Sequence, residues 1–249
     1  AKINATGALS LLGGTLTLNG NGSAGTSQAV ASTTFASGSF ASVNMNPGAG
    51  QSLVLDLKAL TRAAGAGTVR FNLSGTQSLT NGVLTTTTND ATTGLLGTGG
   101  GWATVTIGGE TNFATASGGY ITSITPTTLN DLGTLATTGA NLTDSTAYSG
   151  TLGRETTLNS IRFNGSGASA ITIPAGSVLR INSGGILQTR GVGGTTSISG
   201  GRLLGNVGSE LIFITDSSSQ TLSVSSAFSG ATVITKSGVG TLALSGINS

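Results

Sequence analysis

Glycine interrupts this chain too often for helices to be its main structure. The sequence contains 42 glycines among 249 residues, or one in about every six, and each glycine inside a helix costs about 1 kcal/mol relative to alanine. Threonine and serine are also poor helix formers, and together with glycine they make up almost half of the chain. The sequence therefore predicts an all-β protein.

Short segments in which apolar and small polar residues alternate indicate β-strands. Nearly all of them are bounded by Gly, Asn or Ser, the residues that turns favour. The segment 53–60 also alternates, with Leu53, Leu55 and Leu57 on one side. The other predicted strands are residues 15–19, 68–73, 102–107, 160–164, 170–173, 177–181, 210–215, 221–224, 231–235 and 240–244.

The spacing of the C-terminal strands fits a β-sandwich, a β-barrel or a β-solenoid, and three features favour the solenoid. Alternate positions are often Thr or Ser, which suits polar ladders on the outside of stacked coils. Paired glycines recur at similar intervals, at 184–185, 193–194 and 200–201, as in a repeat architecture. The apolar positions are mostly Leu, Ile, Val and Ala, which suit a narrow interior. We therefore predict a parallel β-solenoid with coils of about 20–30 residues.

The regular pattern breaks twice in the middle of the chain. Residues 85–101 (TTTTNDATTGLLGTGGG) and residues 126–158 show no period, and we interpret both as irregular loop excursions from the stack. The domain prediction is a single β-solenoid segment, residues 1–249. Because the chain starts at Ala1 without a signal peptide, we expect it to be a piece of a longer protein.

Charge and composition exclude several kinds of site. The chain has neither Cys nor His, which zinc, haem and iron–sulfur sites nearly always need. Ten Lys and Arg stand against eight Asp and Glu, and the basic residues are dispersed rather than clustered as in nucleic-acid-binding proteins. The sequence has no run of 18 apolar residues, the length that would predict a membrane-spanning helix. We accordingly predict no catalytic, cofactor-binding or metal-binding residues, no cofactor and no nucleic-acid partner.

One group of charged residues deserves a test as an enzyme site, because β-helical polysaccharide lyases and hydrolases combine carboxylates with Arg or Lys. Asp131, Asp144 and Glu155 occur with Arg154 in one region, and the spacing from Asp131 to Glu155 is close to one coil. The surrounding sequence is irregular and rich in Thr, Gly and Ala, so we predict no enzyme activity. For Trp102, the single tryptophan, packing in the interior or beneath a loop is favoured over an exposed anchoring role.

The C-terminal segment 235–248 (TKSGVGTLALSGIN) closely resembles the autotransporter-associated β-strand repeat. Residues 13–19 (GGTLTLN) resemble a weaker copy of the same strand. Physically, the glycines permit a tight corner, while Leu242 and Leu244 are expected to point into the core. The matching positions are Lys236, Gly238, Gly240, Thr241, Leu242, Leu244, Gly246 and Asn248.

The resemblance implies a large secreted bacterial surface protein with a right-handed parallel β-helical passenger. It implies an extracellular location or the outer cell surface of a bacterium. The resemblance is more informative about fold and export than about function, because one fold supports many functions.

Three functions remain open at this point. The first is a structural stalk or filament module whose partners are copies of itself or further repeats of the same protein. The second is an adhesin that binds a glycan or a protein on another surface. The third and weakest is a β-helical polysaccharide lyase or hydrolase. The segment begins and stops within the coil pattern, so we expect both ends to lack the polar caps of terminal repeats and to associate head to tail.

Overall fold

The computed structural model describes residues 3–36, 38–132, 139–205, 210–229 and 233–246. The β-strands within these ranges are numbered β1 to β25 in chain order. The chain divides into two compact units, Ala1–Ile124 and Thr125–Ser249. In each unit most neighbouring strands pair in parallel, which confirms the predicted all-β, parallel β-solenoid fold.

In the first unit, three short strands form each coil, and successive coils stack strand on strand. One ladder runs β1-β4-β7, the second begins β2-β5-β8 and the third is β3-β6-β9, all parallel. The strands are β1 Ala8–Leu11, β2 Gly14–Asn19, β3 Thr26–Ala29, β4 Ser32–Phe35, β5 Phe40–Asn46, β6 Leu53–Asp56, β7 Leu60–Arg62, β8 Thr68–Leu73 and β9 Gly82–Leu84.

Alternation along these strands separates the core from the surface. Leu16, Val43 and Phe71 stand in register on successive coils, and Val43 and Phe71 are completely buried. Leu53, Leu55 and Leu57 are also buried, as their alternation predicted. Each strand buries only one row of apolar side chains, so the core grows by the same increment with each added coil.

The first unit ends in an antiparallel meander rather than another coil. Its strands are β10 Ala103–Ile107, β11 Glu110–Ser117 and β12 Tyr120–Ser123. β10 pairs in parallel with β8, β11 is antiparallel to both β10 and β12, and β12 pairs with β9. The second and third ladders are thereby joined into one nine-stranded sheet.

The second unit is built on two parallel ladders. One has the order β13-β14-β17-β19-β21-β24, and the other begins with β15 and continues β18-β20-β22-β25. β16 also pairs with β18, and β23 with β20. The strands are β13 Thr127–Thr128, β14 Asn141–Asp144, β15 Ser149–Thr151, β16 Thr156–Leu158, β17 Ser160–Phe163, β18 Ser169–Ile181, β19 Gly185–Gln188, β20 Thr196–Gly205, β21 Glu210–Thr215, β22 Thr221–Val224, β23 Ala227–Phe228, β24 Val233–Ser237 and β25 Thr241–Leu244.

The core of the second unit is a set of in-register apolar columns. Leu142, Ile161, Ile186 and Phe213 follow one another on successive strands of one ladder. All four are at most 1% exposed. The ring of Phe213 also meets the ring of Phe228 edge-on at 6.1 Å. Stacking of like residues supplies the uniform, largely aliphatic interior that the composition predicted.

The two predicted excursions differ in structure. Residues 85–101 contain no strand longer than an isolated bridge. Residues 126–158, however, contribute the short strands β13 to β16 to the parallel ladders, with irregular segments between them in the described part of the stretch. These strands have two to four residues, too few to show a period in the sequence.

Candidate functional site

The charged group that suggested an enzyme site is divided between the interior and the surface. Asp144 is completely buried, and its carboxylate accepts hydrogen bonds from the backbone N–H groups of Thr146 and Tyr148 and from the hydroxyl of Ser169. Asp131, Arg154 and Glu155 are exposed. Asp144 therefore fixes the turn after β14 and is shielded from solvent, whereas the other three charged residues lie at the surface.

Two other kinds of site were searched for in the described ranges. No group of three or more Asp, Glu, His or Cys side chains is placed there to hold a metal ion. The same residues include no helix of sufficient length and apolar character to cross a membrane.

The C-terminal repeat motif builds the corner between β24 and β25. Gly240 lies so close to the preceding coil that an added Cβ would be 2.2 Å from the carbonyl oxygen of Ser217. Its N–H donates to the carbonyl of Thr215 at 2.7 Å. At Gly246 an added Cβ would lie 2.4 Å from the carbonyl oxygen of Ser226. These two motif glycines are therefore points where successive coils approach without room for a side chain.

The lysine of the motif closes the same corner. The Lys236 ammonium donates to the carbonyl of Gly238 at 2.6 Å. Burial lowers the pKa of Lys236, and the nearby negative charge of Asp216 partly offsets this effect. Lys236 follows Phe213 in register, so a charged residue lies above an apolar column.

The two leucines of the motif strand lie on its core-facing side. Leu242 packs against the core of the second unit, and Leu244, on the same face of β25, stands in register with the buried Val224 and is 48% exposed. Thr241 lies on the opposite, exposed face. No strand in the described part of the chain pairs with the outer edge of β25, and Leu244 consequently lacks a covering coil. Asn248 lies outside the described residues.

The outer face of the first unit carries a row of four amide side chains and one hydroxyl that we call the amide ladder: Asn19, Ser42, Asn44, Asn46 and Asn72. Asn46 donates to the side-chain oxygen of Asn19 at 3.0 Å. Asn72 donates to Asn44 at 2.6 Å and to Ser42 at 2.9 Å. The intervening residues Ala41, Val43 and Met45 are buried, so the ladder faces away from the core.

The amide ladder retains hydrogen-bonding capacity. Among the described residues, the side-chain NH₂ groups of Asn19 and Asn44 and the side-chain oxygen of Asn46 have no hydrogen-bond partner. Neighbouring strands in a sheet are about 4.8 Å apart, so these donors and acceptors form a regular, uncharged array. The sequence analysis did not find it. The signal was available, since Asn19 and Asn46 occupy equivalent positions of successive coils, as do Asn44 and Asn72.

Apolar surface is exposed at the outer coils. In the first unit, Ile3, Leu16, Leu18 and Leu55 help to line an open cavity of about 490 Å³, and Leu12 is 66% exposed. In the second unit, Ile234, Val239 and Leu244 are 42%, 71% and 48% exposed. Among the described residues, most of the exposed large apolar side chains therefore lie on the first and last coils. Leu79, which is 58% exposed, lies elsewhere.

The irregular segment 85–101 is held by one carboxylate. Asp90 accepts hydrogen bonds from the backbone N–H groups of Thr92, Thr93 and Gly99 at 2.9–3.1 Å. Burial acts to raise the pKa of Asp90, but these hydrogen bonds together outweigh it and hold the pKa below its usual 3.8. The segment is thus an ordered loop whose anchor is negatively charged.

Trp102, at the end of this loop, is 3% exposed. Its ring lies 5.4 Å from the ring of Phe35, and the guanidinium of Arg62 lies 5.9 Å above it. Arg62 in turn donates to the backbone carbonyls of Ala66 and Gly67. The tryptophan is a packing residue, as favoured from the sequence, and offers no exposed anchor for a ligand.

The parallel ladders and apolar columns define a β-solenoid protein whose described surface lacks a concentrated chemical site. The chain is 31% identical over 251 residues to "Adhesin BmaC autotransporter" from Brucella suis biovar 1 (strain 1330). The match covers 96% of this chain but 7% of that protein. No family model matches the chain, and no solved structure matches it. Nearly full-length similarity and the β-solenoid together confirm the resemblance to autotransporter-associated β-helical proteins.

Proposed function

We propose that the chain is a β-helical structural segment of a surface adhesin, located at the bacterial cell surface or outside the cell, and that it self-associates. The similarity to an autotransporter adhesin supports the surface location and the adhesin class. The main structural support is that the coils of each unit join through parallel strand pairing and in-register apolar columns. A coil from another copy offers the same pairing and the same kind of apolar column.

The chemistry of strand edges favours strand addition. An open parallel edge presents unpaired N–H and C=O groups to any strand that can align with it. Ile234 on β24 and Leu244 on β25 are exposed apolar side chains of the second unit, and Leu16 and Leu18 line an open cavity of the first unit. The surface joined at one edge differs from that at the other, so the contact is heterologous and produces filaments rather than closed dimers. Few charges take part, so salt should weaken the contact little.

A matched pair of variants tests self-association. We expect the 249-residue chain to show concentration-dependent growth in light scattering that persists at high salt. Leu244→Lys places a charge beside the β25 edge and should reduce this growth, whereas Leu79→Lys, an equally drastic change at an exposed loop leucine, should not. A monodisperse monomer at all concentrations, or equal effects of the two variants, would contradict the proposal.

A second candidate function is adhesion through the amide ladder. The relative is named an adhesin, and the unpaired amide donors and acceptors of the ladder suit the hydroxyl groups of a neutral glycan. Asn19→Ala combined with Asn46→Ala should abolish binding to immobilised neutral polysaccharides. Thr172→Ala, on an exposed strand position of the second unit, is the control. Binding that is lost equally in the control, or that requires an acidic polysaccharide, would exclude this surface.

We propose a non-enzymatic role. The candidate acids are split between the buried, hydrogen-bonded Asp144 and the exposed Asp131 and Glu155, and the named relative is an adhesin. Hydrolysis or elimination of a polysaccharide requires two groups acting on one bond. Release of reducing ends from polysaccharides by the purified chain would overturn this proposal.

A further inference from the structure

The antiparallel meander of residues 103–123 occupies the position at which another coil of the first unit would stack. β8 and β9 belong to the last coil of that unit. β10 pairs with the free edge of β8 along its whole length, while β12 pairs with β9 at Tyr120 and Leu84. β11 lies between β10 and β12 and connects them. The second and third ladders therefore have no open edge on this side.

The apolar column of the first unit ends inside the meander. Phe71 is followed in register by Val105 on β10, and Val105 by Asn112 on β11. Phe71 and Val105 are completely buried, and Asn112 is 9% exposed. The Asn112 side chain donates to the carbonyl of Ile124 and accepts from the N–H of Phe113. A hydrogen-bonded polar residue thus terminates a column of apolar residues.

Two sequence features make the meander antiparallel. Both of its turns are glycine pairs with positive φ at both positions, 61° and 87° at Gly108 and Gly109 and 54° and 92° at Gly118 and Gly119. This backbone combination is that of the two-residue type I′ hairpin turn, which reverses the chain. A coil corner would instead lead the chain onward around the solenoid.

The loop 85–101 fastens the meander to the unit. The Asn89 side chain forms a double hydrogen bond with the backbone of Ala116, accepting from its N–H at 2.7 Å and donating to its C=O at 2.9 Å. The N–H of Leu96 donates to the carbonyl of Ala114 at 2.9 Å. Leu95 and Leu96 are both completely buried. The loop therefore packs against the meander instead of projecting into solvent.

From these observations we infer that residues 103–123 are an internal cap that closes the first unit, so that the chain contains two cooperative folding units. Solenoid stability is transmitted between neighbouring coils, and capping repeats end that transmission. The unit boundary at Ile124 follows directly after β12. A perturbation of the second core therefore leaves the first unit unchanged, whereas a perturbation of the cap reaches β8 and β9.

Hydrogen exchange of the full 249-residue chain, read by mass spectrometry, tests this inference with two variants. Phe213→Ala creates a cavity in the core of the second unit and should accelerate exchange in β19 and β21 by about a hundredfold or more. Exchange in β5, β8 and β9 should change by less than about twofold. Val105→Ala, in the cap, should accelerate exchange in β8 and β9 and leave β19 and β21 unchanged.

Two results would overturn the internal cap. One is acceleration of exchange in β8 and β9 by Phe213→Ala to the same extent as in β21, which would show that the two units unfold as one. The other is unchanged exchange in β8 and β9 when Val105→Ala releases β10 to β12, which would show that the meander does not protect the last coil.

Discussion

Replacing Gly240 with alanine tests whether coils stack as closely as the corner of the repeat motif requires. The new Cβ would lie 2.2 Å from the carbonyl oxygen of Ser217 and 3.0 Å from that of Thr215. Ordinary van der Waals contact begins at 3.4 Å, so the corner must move away from the preceding coil. The same movement lengthens the 2.7 Å hydrogen bond from the Gly240 N–H to Thr215.

The magnitude follows from these two effects. Overpacking of a well-packed site costs about 1–3 kcal/mol, and a backbone hydrogen bond contributes about 1 kcal/mol. We therefore expect Gly240→Ala to lower the free energy of unfolding of the second unit by about 2–4 kcal/mol. The matched control is Gly22→Ala, because an added Cβ there meets no atom within 4 Å and reduced chain entropy should stabilise by about 0.4–1 kcal/mol.

Urea unfolding followed by circular dichroism measures both variants. Gly240→Ala should shift the midpoint to lower urea at an unchanged slope, and Gly22→Ala should leave it unchanged or raise it. If Gly240→Ala unfolds the second unit at the same urea concentration as the unsubstituted chain does, the close approach at Gly240 is wrong and so is the structural role we assign to the motif glycines.

Three further predictions concern the core, the loop and the fold. Leu242→Asp should destabilise by about 2 kcal/mol or more because it places a carboxylate against the apolar core, whereas Thr241→Asp should cost less than about 0.5 kcal/mol; equal midpoints in urea would show that the facing of β25 is wrong. The pKa of Asp90 is lowered in the folded chain, so its contribution to stability is full above the unfolded value of 3.8 and disappears as pH falls through the folded value. Hydrogen exchange of residues 85–101, corrected for its intrinsic pH dependence, should accelerate through this window and lose that step in Asp90→Asn. Far-ultraviolet circular dichroism should show β structure, and a helical content above about one third, the globular average, would contradict the fold.

Strands with a clear alternation could be predicted from sequence almost to the residue. The predicted segments 68–73, 210–215 and 221–224 coincide with β8, β21 and β22. Their boundaries are set by local chemistry, because Gly, Asn or Ser stands next to an apolar alternation. The segments 170–173 and 177–181 were predicted as two strands but belong to the single strand β18, whose pairing shifts in register between Ile173 and Val178. A local pattern does not show whether a ladder continues across such an irregularity.

Other features depend on long-range pairing and could not be predicted from a local pattern. The strands between residues 126 and 158 are short, and their pairing with β17 and β18 rather than their own sequence makes them strands. The meander turns on glycine pairs, as do other parts of the chain, and the antiparallel pairing of β10, β11 and β12 appears only in the folded structure. Asp144 was a candidate for catalysis because its partners, Thr146, Tyr148 and Ser169, are recognisable only in the folded chain.

Parallel stacking of successive coils is the claim on which the proposed function and the internal cap both depend, and engineered disulfides test it directly. The chain contains no cysteine, so every crosslink would come from the introduced pair. Ser197 and Ser223 are register partners on adjacent strands, about 4.8 Å apart and within disulfide reach, whereas Ala170 lies one strand further away, beyond Ser197. Under mild oxidation, Ser197→Cys with Ser223→Cys should form an intramolecular disulfide, and Ala170→Cys with Ser223→Cys should not. Crosslinking of the second pair in preference to the first would contradict the stacked-coil structure.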